Sequence, residues 1–340
     1  MAKFTTSEID NKNTWEKFVL AKNPRSFLQS WNWGETNKFV GHKVMRLGFY
    51  DKKVLVGVTQ IIKEKAKRGP YFVIPAGPII NWNDTKLVNF VLKSIRRLAR
   101  IEGVWFVRIR PELEDGIEER DRFKKLGFLP APMHLHGENT IVVDIQKSPD
   151  EILTVMRKNT RYLIRKSIKD GLECKMYESS MQSEILAKLQ IETVKRHKFV
   201  GFKNILFKAQ LDTFGRDGQA ALFVCRKNRT DLVAAIIIFY GKYAYYHHSG
   251  SSEESRNTNA SYFLQWTVIN EARKRGCIFY NLWGIAPDDN PRHRFSGVTI
   301  FKKGFGGKRI DWLHAQDLPI SNYYYATRIF ETVRKKLRRL

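Results

Sequence analysis

The feature that most constrains the fold is that the chain restates itself. A helix-forming run, a glycine and a strand-forming run appear as Ala99-Arg-Ile-Glu-Gly-Val-Trp-Phe106 and again as Ala272-Arg-Lys-Arg-Gly-Cys-Ile-Phe279. Gly103 and Gly276 stand as far apart as Gly77 and Gly250, the glycines that end the preceding strand runs. A third match in the same order sets Phe123-Lys-Lys-Leu-Gly-Phe128 against Phe301-Lys-Lys-Gly-Phe305. One helix–glycine–strand junction is ordinary punctuation, but three matches in the same order predict a duplicated domain. The length of 340 residues suits two domains better than one, and an apolar share of 43% fills two cores.

Each half reads as mixed α/β. In the first, strands are expected at 44–50 and 54–62 around Asp51-Lys52-Lys53, then at 71–75. Asp84 can cap a helix to Ile101, with Leu87, Phe90, Val91, Ile95 and Leu98 on one face. A strand at 104–109 and a short helix at 118–126 follow. The second half repeats this with a strand at 140–145, one helix over 149–169, helices at 181–197 and 203–214, and strands at 220–226, 232–240 and 243–248. A helix from Ser261 to Arg275 and a strand at 277–282 complete it. The expected domains are 1–137, 138–320 and a basic C-terminal helix, 321–340. In that last segment Tyr325, Ile329, Val333 and Leu337 form an apolar line. Arg328, Arg334, Lys335, Lys336, Arg338 and Arg339 lie elsewhere. Such a helix docks on a domain by its apolar line, and its basic end suits RNA or anionic lipid.

Charge narrows the partners. Sixty Lys+Arg against 34 Asp+Glu give +26, a field that attracts phosphates on RNA, nucleotide-linked substrates or an anionic membrane face. The three cysteines form no C-x-x-C pair, so neither a disulfide framework nor a zinc site is expected. The sequence shows no signal-type apolar core and no stretch long enough to span a bilayer, which predicts a cytoplasmic protein that can touch the inner membrane face. His247, His248 and His293 lack metal-ligand spacing, G-x-S-x-G is absent, and Asp288 and Asp289 read as a turn.

Several tracts are more specific. They are Phe27-Leu-Gln-Ser-Trp31, Met156-Arg-Lys-Asn-Thr-Arg161-Tyr-Leu-Ile-Arg165, Tyr245-Tyr-His-His-Ser249, Tyr280-Asn-Leu-Trp-Gly284 and Phe301-Lys302-Lys-Gly-Phe305-Gly-Gly. Together they resemble the Fem transferases, the FemA, FemB and FemX group, over roughly residues 20–315. No heptad insert occurs in 150–240, so the likeness is to the FemX-like form without a coiled-coil arm. The resemblance implies an α/β fold of two tandem Gcn5-related N-acyltransferase (GNAT)-like domains. It also implies transfer of an amino acid from aminoacyl-tRNA to the stem-peptide amine of a peptidoglycan precursor, either UDP-MurNAc-pentapeptide or lipid II. One departure is Asn281, where the group often has Asp.

An aminoacyl ester arrives activated, so no cofactor is called for. The enzyme must orient two partners, stabilise an oxyanion and manage one proton. The resemblance assigns Lys302 as the catalytic cation and Phe301 to the tRNA end. In an extended segment, Lys303 would point away from Lys302. Lys38 and Arg196 match basic positions for the acceptor. Tyr246 and Tyr280 lie at strand positions that suit a cleft, or else a core. Arg157, Arg161 and Arg165 share a helix face without an intervening acid, which suits tRNA phosphates or a solvated surface. Two other classes remain in play. A coenzyme-A acyltransferase would need a pyrophosphate loop with a central glycine, and Arg256-Asn-Thr-Asn259-Ala-Ser261 lacks it. A non-catalytic RNA-binding protein would need only the basic surface.

Overall fold

The computed structural model describes residues 4–66, 68–197 and 200–337. In chain order it begins with β1 (Phe4–Glu8), α1 (Lys12–Lys22), α2 (Trp31–Phe39), β2 (Lys43–Asp51), β3 (Val54–Ala66), β4 (Gly69–Pro75), α3 (Thr85–Ile101), β5 (Phe106–Arg110), α4 (Ile117–Lys125) and β6 (Leu129–Pro130). It continues with β7 (Asn139–Asp144), α5 (Pro149–Val155), α6 (Lys158–Lys169), β8 (Glu173–Tyr177), α7 (Ser183–His197), α8 (Asn204–Gly215), β9 (Ala220–Lys227), β10 (Thr230–Tyr240) and β11 (Tyr243–Ser251). The last elements are α9 (Ala260–Lys274), β12 (Phe279–Gly284), α10 (Ser296–Lys303), β13 (Lys308–Asp311), β14 (Gln316–Pro319) and α11 (Tyr323–Leu337).

Two units result: residues 1–138 with 311–340, and Asn139–Ile310. The sheet of the first runs β1-β2-β3-β4-β5-β14-β6, and that of the second runs β8-β9-β10-β11-β12-β7-β13. Each contains a parallel pair, β4 with β5 in the first and β11 with β12 in the second. The neighbouring pairs β3/β4, β5/β14, β10/β11 and β12/β7 are antiparallel. The repeat in sequence is therefore a repeat in strand order.

The helix joining each parallel pair follows from its residues. Asp84 accepts from the backbone N of Lys86 and Leu87 and caps α3, and Leu87, Val88, Val91, Leu92 and Ile95 are buried on one face. Each contributes about 1.5–3 kcal/mol by leaving water. α3 and α9 are followed by Gly103 at φ +64 and Gly276 at φ +77, the left-handed ends that only glycine adopts without cost. The Phe27-Leu-Gln-Ser-Trp31 tract proves to be a bracket. The fully buried Gln29 donates to Gln60 O (3.2 Å) and Pro75 O (2.7 Å), and accepts from Gln60 N (2.7 Å). It ties β3 to the end of β4.

Three expectations are corrected. First, 311–340 belong to the first unit, so neither a second domain running to 320 nor a separate terminal helix describes the chain. β14 fills the place between β5 and β6. Arg108 of β5 donates to Asp317 (2.7 and 2.8 Å) and to Glu331 of α11 (2.7 Å) out of water. Second, the single helix over 149–169 is two, α5 and α6, broken at Met156-Arg157. A capping box between Ser148 and Glu151 starts α5, and no acid stands in the first turn of α6. Third, α11 does not dock by its apolar line. Tyr324, Thr327 and Glu331 are buried, while Tyr325, Ile329, Val333 and Leu337 are exposed. Arg338 and Arg339 lie outside the described residues.

Candidate active site

In the second unit two parallel strands part. β11 and β12 pair only at Tyr243↔Phe279, Ala244↔Tyr280 and Tyr245↔Asn281, although β11 runs on to Ser251 and β12 to Gly284. Both strands are irregular where they separate: β12 slips against β7 between Asn281 and Gly284, and β10 slips against β11 between Ile236 and Ile237. Such irregularities re-aim side chains and end pairing. Trp283 sits at φ +62, uncommon for a bulky residue. Asn281 Oδ1 accepts from Trp283 N (2.8 Å) and from Thr140 Oγ1, which fixes the bend. An amide oxygen serves this purpose as a carboxylate oxygen would, so Asn281 acts here as an acceptor that shapes the strand end.

Lys302 lies at this opening. It is carried by α10 rather than by an extended segment, and is 6% exposed. Its Nζ donates to Gly284 O (2.7 Å) and lies 5.7 Å from the Tyr246 ring centroid. Burial pushes the amine down to about 7, because a desolvated ammonium loses hydration. The helix is fixed at its start by Thr299 Oγ1, which accepts from Ala286 N (2.9 Å), and at its end by Gly304. A side chain at Gly304 would meet Thr160 Oγ1 at 2.5 Å, so glycine lets the start of α6 close on α10, with Arg157 N donating to Gly304 O (2.9 Å). Gly307, at φ +92, similarly lies against Val142 O. The glycine-rich turn is thus a packing device. Lys303 diverges because successive helical side chains do, and its Nζ pairs with Asp289.

The tyrosines form a hydrogen-bonded set. Tyr280 is fully buried and donates to Gln265 Oε1 (2.6 Å), and Tyr246 is half-buried and bonded to Ser249 and Gln265. Burial raises both phenols above their ordinary value, so both stay protonated donors at neutral pH. Phe301 is half-buried and meets Tyr262 and Phe305 edge-on at 5.1 Å. The structure therefore gathers Lys302, Phe301, Tyr246 and Tyr280 in one place, with Gln265 and the Gly284 carbonyl, which the sequence did not single out.

The remaining assigned residues behave differently. Arg157 and Arg165 are exposed at and along α6, whereas Arg161 Nη1 donates to Thr154 O (3.0 Å) and Met156 O (2.7 Å), closing the end of α5. Arg196 of α7 holds the end of β11 through Ser251 Oγ (2.6 Å) and pairs with Glu253. Lys38 belongs to the first unit, exposed at the end of α2 beside Glu35 (3.1 Å).

The first unit holds two clusters that sequence reading missed. His134 Nδ1 and His314 Nδ1 lie 2.6 and 2.7 Å from Glu138 Oε2, and Oε1 accepts from Leu135 N and Ala315 N at 3.0 Å. Burial would raise this carboxyl, but the imidazole hydrogen bonds outweigh it and hold it below the carboxylate range. By ligand type the trio suits a divalent metal, but tetrahedral ligands stand ~3.3 Å apart. At the observed spacing protons bridge the atoms, and the cluster fastens 131–138 to the approach of β14. Elsewhere, the buried Arg110 leaves Nε and Nη1 without a protein partner, with Nη2 3.7 Å from Glu112. Burial pushes the Glu112 carboxyl up to about 7 against the pull of Arg110, and burial with Arg110 pushes His136 down to about 3. The signal for this second cluster was present: two arginines interrupt the apolar strand Val104-Trp-Phe-Val-Arg108-Ile-Arg110. The first had none, since His134 and His314 lie far apart in the sequence.

Comparison with known proteins gives concordant matches. The model of the FemAB family matches residues 11–123 and 223–332. A lipid II:glycine glycyltransferase of Staphylococcus aureus is 22% identical, over 86% of this chain and 87% of its own length. Among solved structures, FemX matches with a TM-score of 0.81 at 20% identity, covering 96% of this chain and all of its own. A tandem GNAT protein from the clavulanic acid biosynthesis pathway matches with a TM-score of 0.62 at 9% identity, over 94% of this chain and 99% of that one. The two units are accordingly GNAT-like domains in tandem.

Proposed function

This chain belongs to the FemAB family, and on that premise we propose that it transfers an amino acid from aminoacyl-tRNA to the stem-peptide amine of a peptidoglycan precursor. The observation that carries the proposal is Lys302, a lysine sequestered where β11 and β12 part, with its Nζ on Gly284 O. The acceptor amine attacks the ester carbonyl, the carbonyl oxygen gathers negative charge, and the ribose oxygen leaves with a proton. An ammonium at the parting of the strands stabilises the oxyanion as it forms. With its pKa at about 7, the neutral amine takes the proton of the attacking amine, becomes that ammonium by doing so, and returns the proton to the leaving oxygen. Tyr246, held protonated, borders the same region, and Tyr280, whose O–H is donated to Gln265, holds that amide in place. Phe301 presents an apolar face for the terminal adenosine, and exposed Arg157 and Arg165 provide charge for the tRNA backbone.

The S. aureus relative is named for lipid II and glycine; here the donor amino acid and the form of the acceptor are read from the product. Purified protein is supplied with a mixture of charged tRNAs and with nucleotide-linked or lipid-linked pentapeptide. The mass increment of the acceptor identifies the amino acid. Transfer from acyl-coenzyme A without tRNA, or no modified acceptor of either form, overturns the proposal.

A further inference from the structure

The terminal helix α11 is fastened to its unit by a polar face. Tyr324 OH donates to Asp317 Oδ2 (3.2 Å), Thr327 Oγ1 donates to Arg68 O (2.6 Å), and Glu331 pairs with Arg68 (2.6 Å) and accepts from Arg108 (2.7 Å). These residues recur at intervals of three and four, so they occupy one side of the helix. The other side is apolar and largely open to solvent, with the Tyr323 ring stacked on Trp105 (5.1 Å): Tyr323 is 67% exposed, Tyr325 51%, Ile329 67%, Phe330 54%, Val333 51% and Leu337 80%. At ~100° per residue these six fall in one sector ~160° wide, centred roughly opposite the fastened face. Arg334 lies just outside one border of that sector and Lys336 just inside the other.

We infer that this face of α11 docks on an anionic lipid bilayer. An interfacial helix needs an apolar stripe to enter the acyl boundary and cations at its borders to meet the headgroups, and α11 has both. The charge of the whole chain, +26, has the sign that an anionic leaflet attracts. Tyr323, Tyr325 and Phe330 offer rings, but the cations stand only at the borders and Ile329, Val333 and Leu337 offer neither charge nor a stacking surface, so nucleic acid is the poorer occupant. No helix among the described residues is long and apolar enough to cross a membrane, so the attachment is to the surface. The polar fastening matters here. With Tyr324, Thr327 and Glu331 engaged behind it, the helix presents its apolar side without detaching from its own unit. The docking requires no acceptor. Its use, bringing the transferase to a lipid-linked acceptor, rests on the function proposed above.

The test is co-sedimentation of the full chain with large vesicles of phosphatidylcholine containing phosphatidylglycerol, with phosphatidylcholine vesicles as the neutral control. The wild type should pellet with the anionic vesicles and remain largely in solution with the neutral ones. The double variant Ile329→Asp, Val333→Asp should reduce partitioning at least tenfold, with its unfolding midpoint within a few degrees of wild type because neither side chain is packed. Lys336→Glu should weaken anionic binding alone. Wild type that stays in the supernatant, or a double variant that pellets as wild type does, overturns the inference. So does a concentration-dependent dimer abolished by the double variant without any vesicle binding, which would assign the face to a second copy. The vesicles carry no acceptor, so failure here leaves the transfer reaction standing, and absence of transfer leaves the docking result standing.

Discussion

Replacing Lys302 by methionine should stabilise the protein at neutral pH while removing its activity. The amine is 6% exposed and burial takes it from 10.5 to about 7. At ~1.36 kcal/mol per pH unit, that fall corresponds to a charge-burial cost of ~5 kcal/mol. Below about pH 7 both the folded and the unfolded chain hold the proton, and the whole cost is present. Between about 7 and the ordinary 10.5 only the unfolded chain holds it, so wild-type stability rises by ~1.36 kcal/mol per pH unit. Above 10.5 neither state holds the proton and the cost is gone. Methionine also leaves Gly284 O without its donor, at a cost of about 1–3 kcal/mol. Lys302→Met should therefore be more stable than wild type by ~2–4 kcal/mol below pH 7, and less stable by ~1–3 kcal/mol at pH 11. Urea unfolding of both proteins at pH 6, 8, 9.5 and 11 measures this difference. Single-turnover transfer at saturating tRNA and acceptor should fall by about 10²–10³-fold, the loss typical of a group that meets charge only in the transition state. Lys303→Ala should transfer as wild type does, since its amine pairs with Asp289. A stability difference independent of pH would refute the buried-cation reasoning. Undiminished transfer by Lys302→Met would refute its role in catalysis.

Four further outcomes follow from the same structure. Arg157→Ala with Arg165→Ala should lower the slope of log tRNA affinity against log salt by ~1.5, two phosphates' worth, in filter binding, and an unchanged slope would mark the face as merely solvated. Arg161→Ala should leave that slope alone and cost ~1 kcal/mol in urea unfolding through the carbonyls of Thr154 and Met156. Arg108→Met should destabilise the first unit by about 3–5 kcal/mol, because Asp317 and Glu331 remain buried without their common cation. Gln29→Leu, which strands buried groups on Gln60 and Pro75, should cost about 3 kcal/mol or more in the same assay.

Local pattern carried much of this protein. Asp84 before an amphipathic run, the glycines at 103 and 276, and the apolar alternation on either side of Lys52 each concern residues within a turn or a hairpin of one another. Their free energies are local, and the corresponding elements stand where the sequence places them. The duplication was legible because both copies keep the same punctuation. The break between α5 and α6 at Met156-Arg157 is a local failure, and the others are long-range. Nothing near residue 317 says that β14 will enter the first sheet beside β5, because that strand's partner is Arg108, far earlier in the chain. The apolar line of α11 reads as a docking face by periodicity alone. Only the buried pairing of Glu331 with Arg108 and Arg68 turns it outward. Lys302 shows the division most clearly. Its place in Phe301-Lys302-Lys-Gly marked it as a candidate, but sequence carries no dielectric. The parting of β11 from β12 and the walls around it desolvate the amine and bring its pKa down towards the pH at which the protein would work.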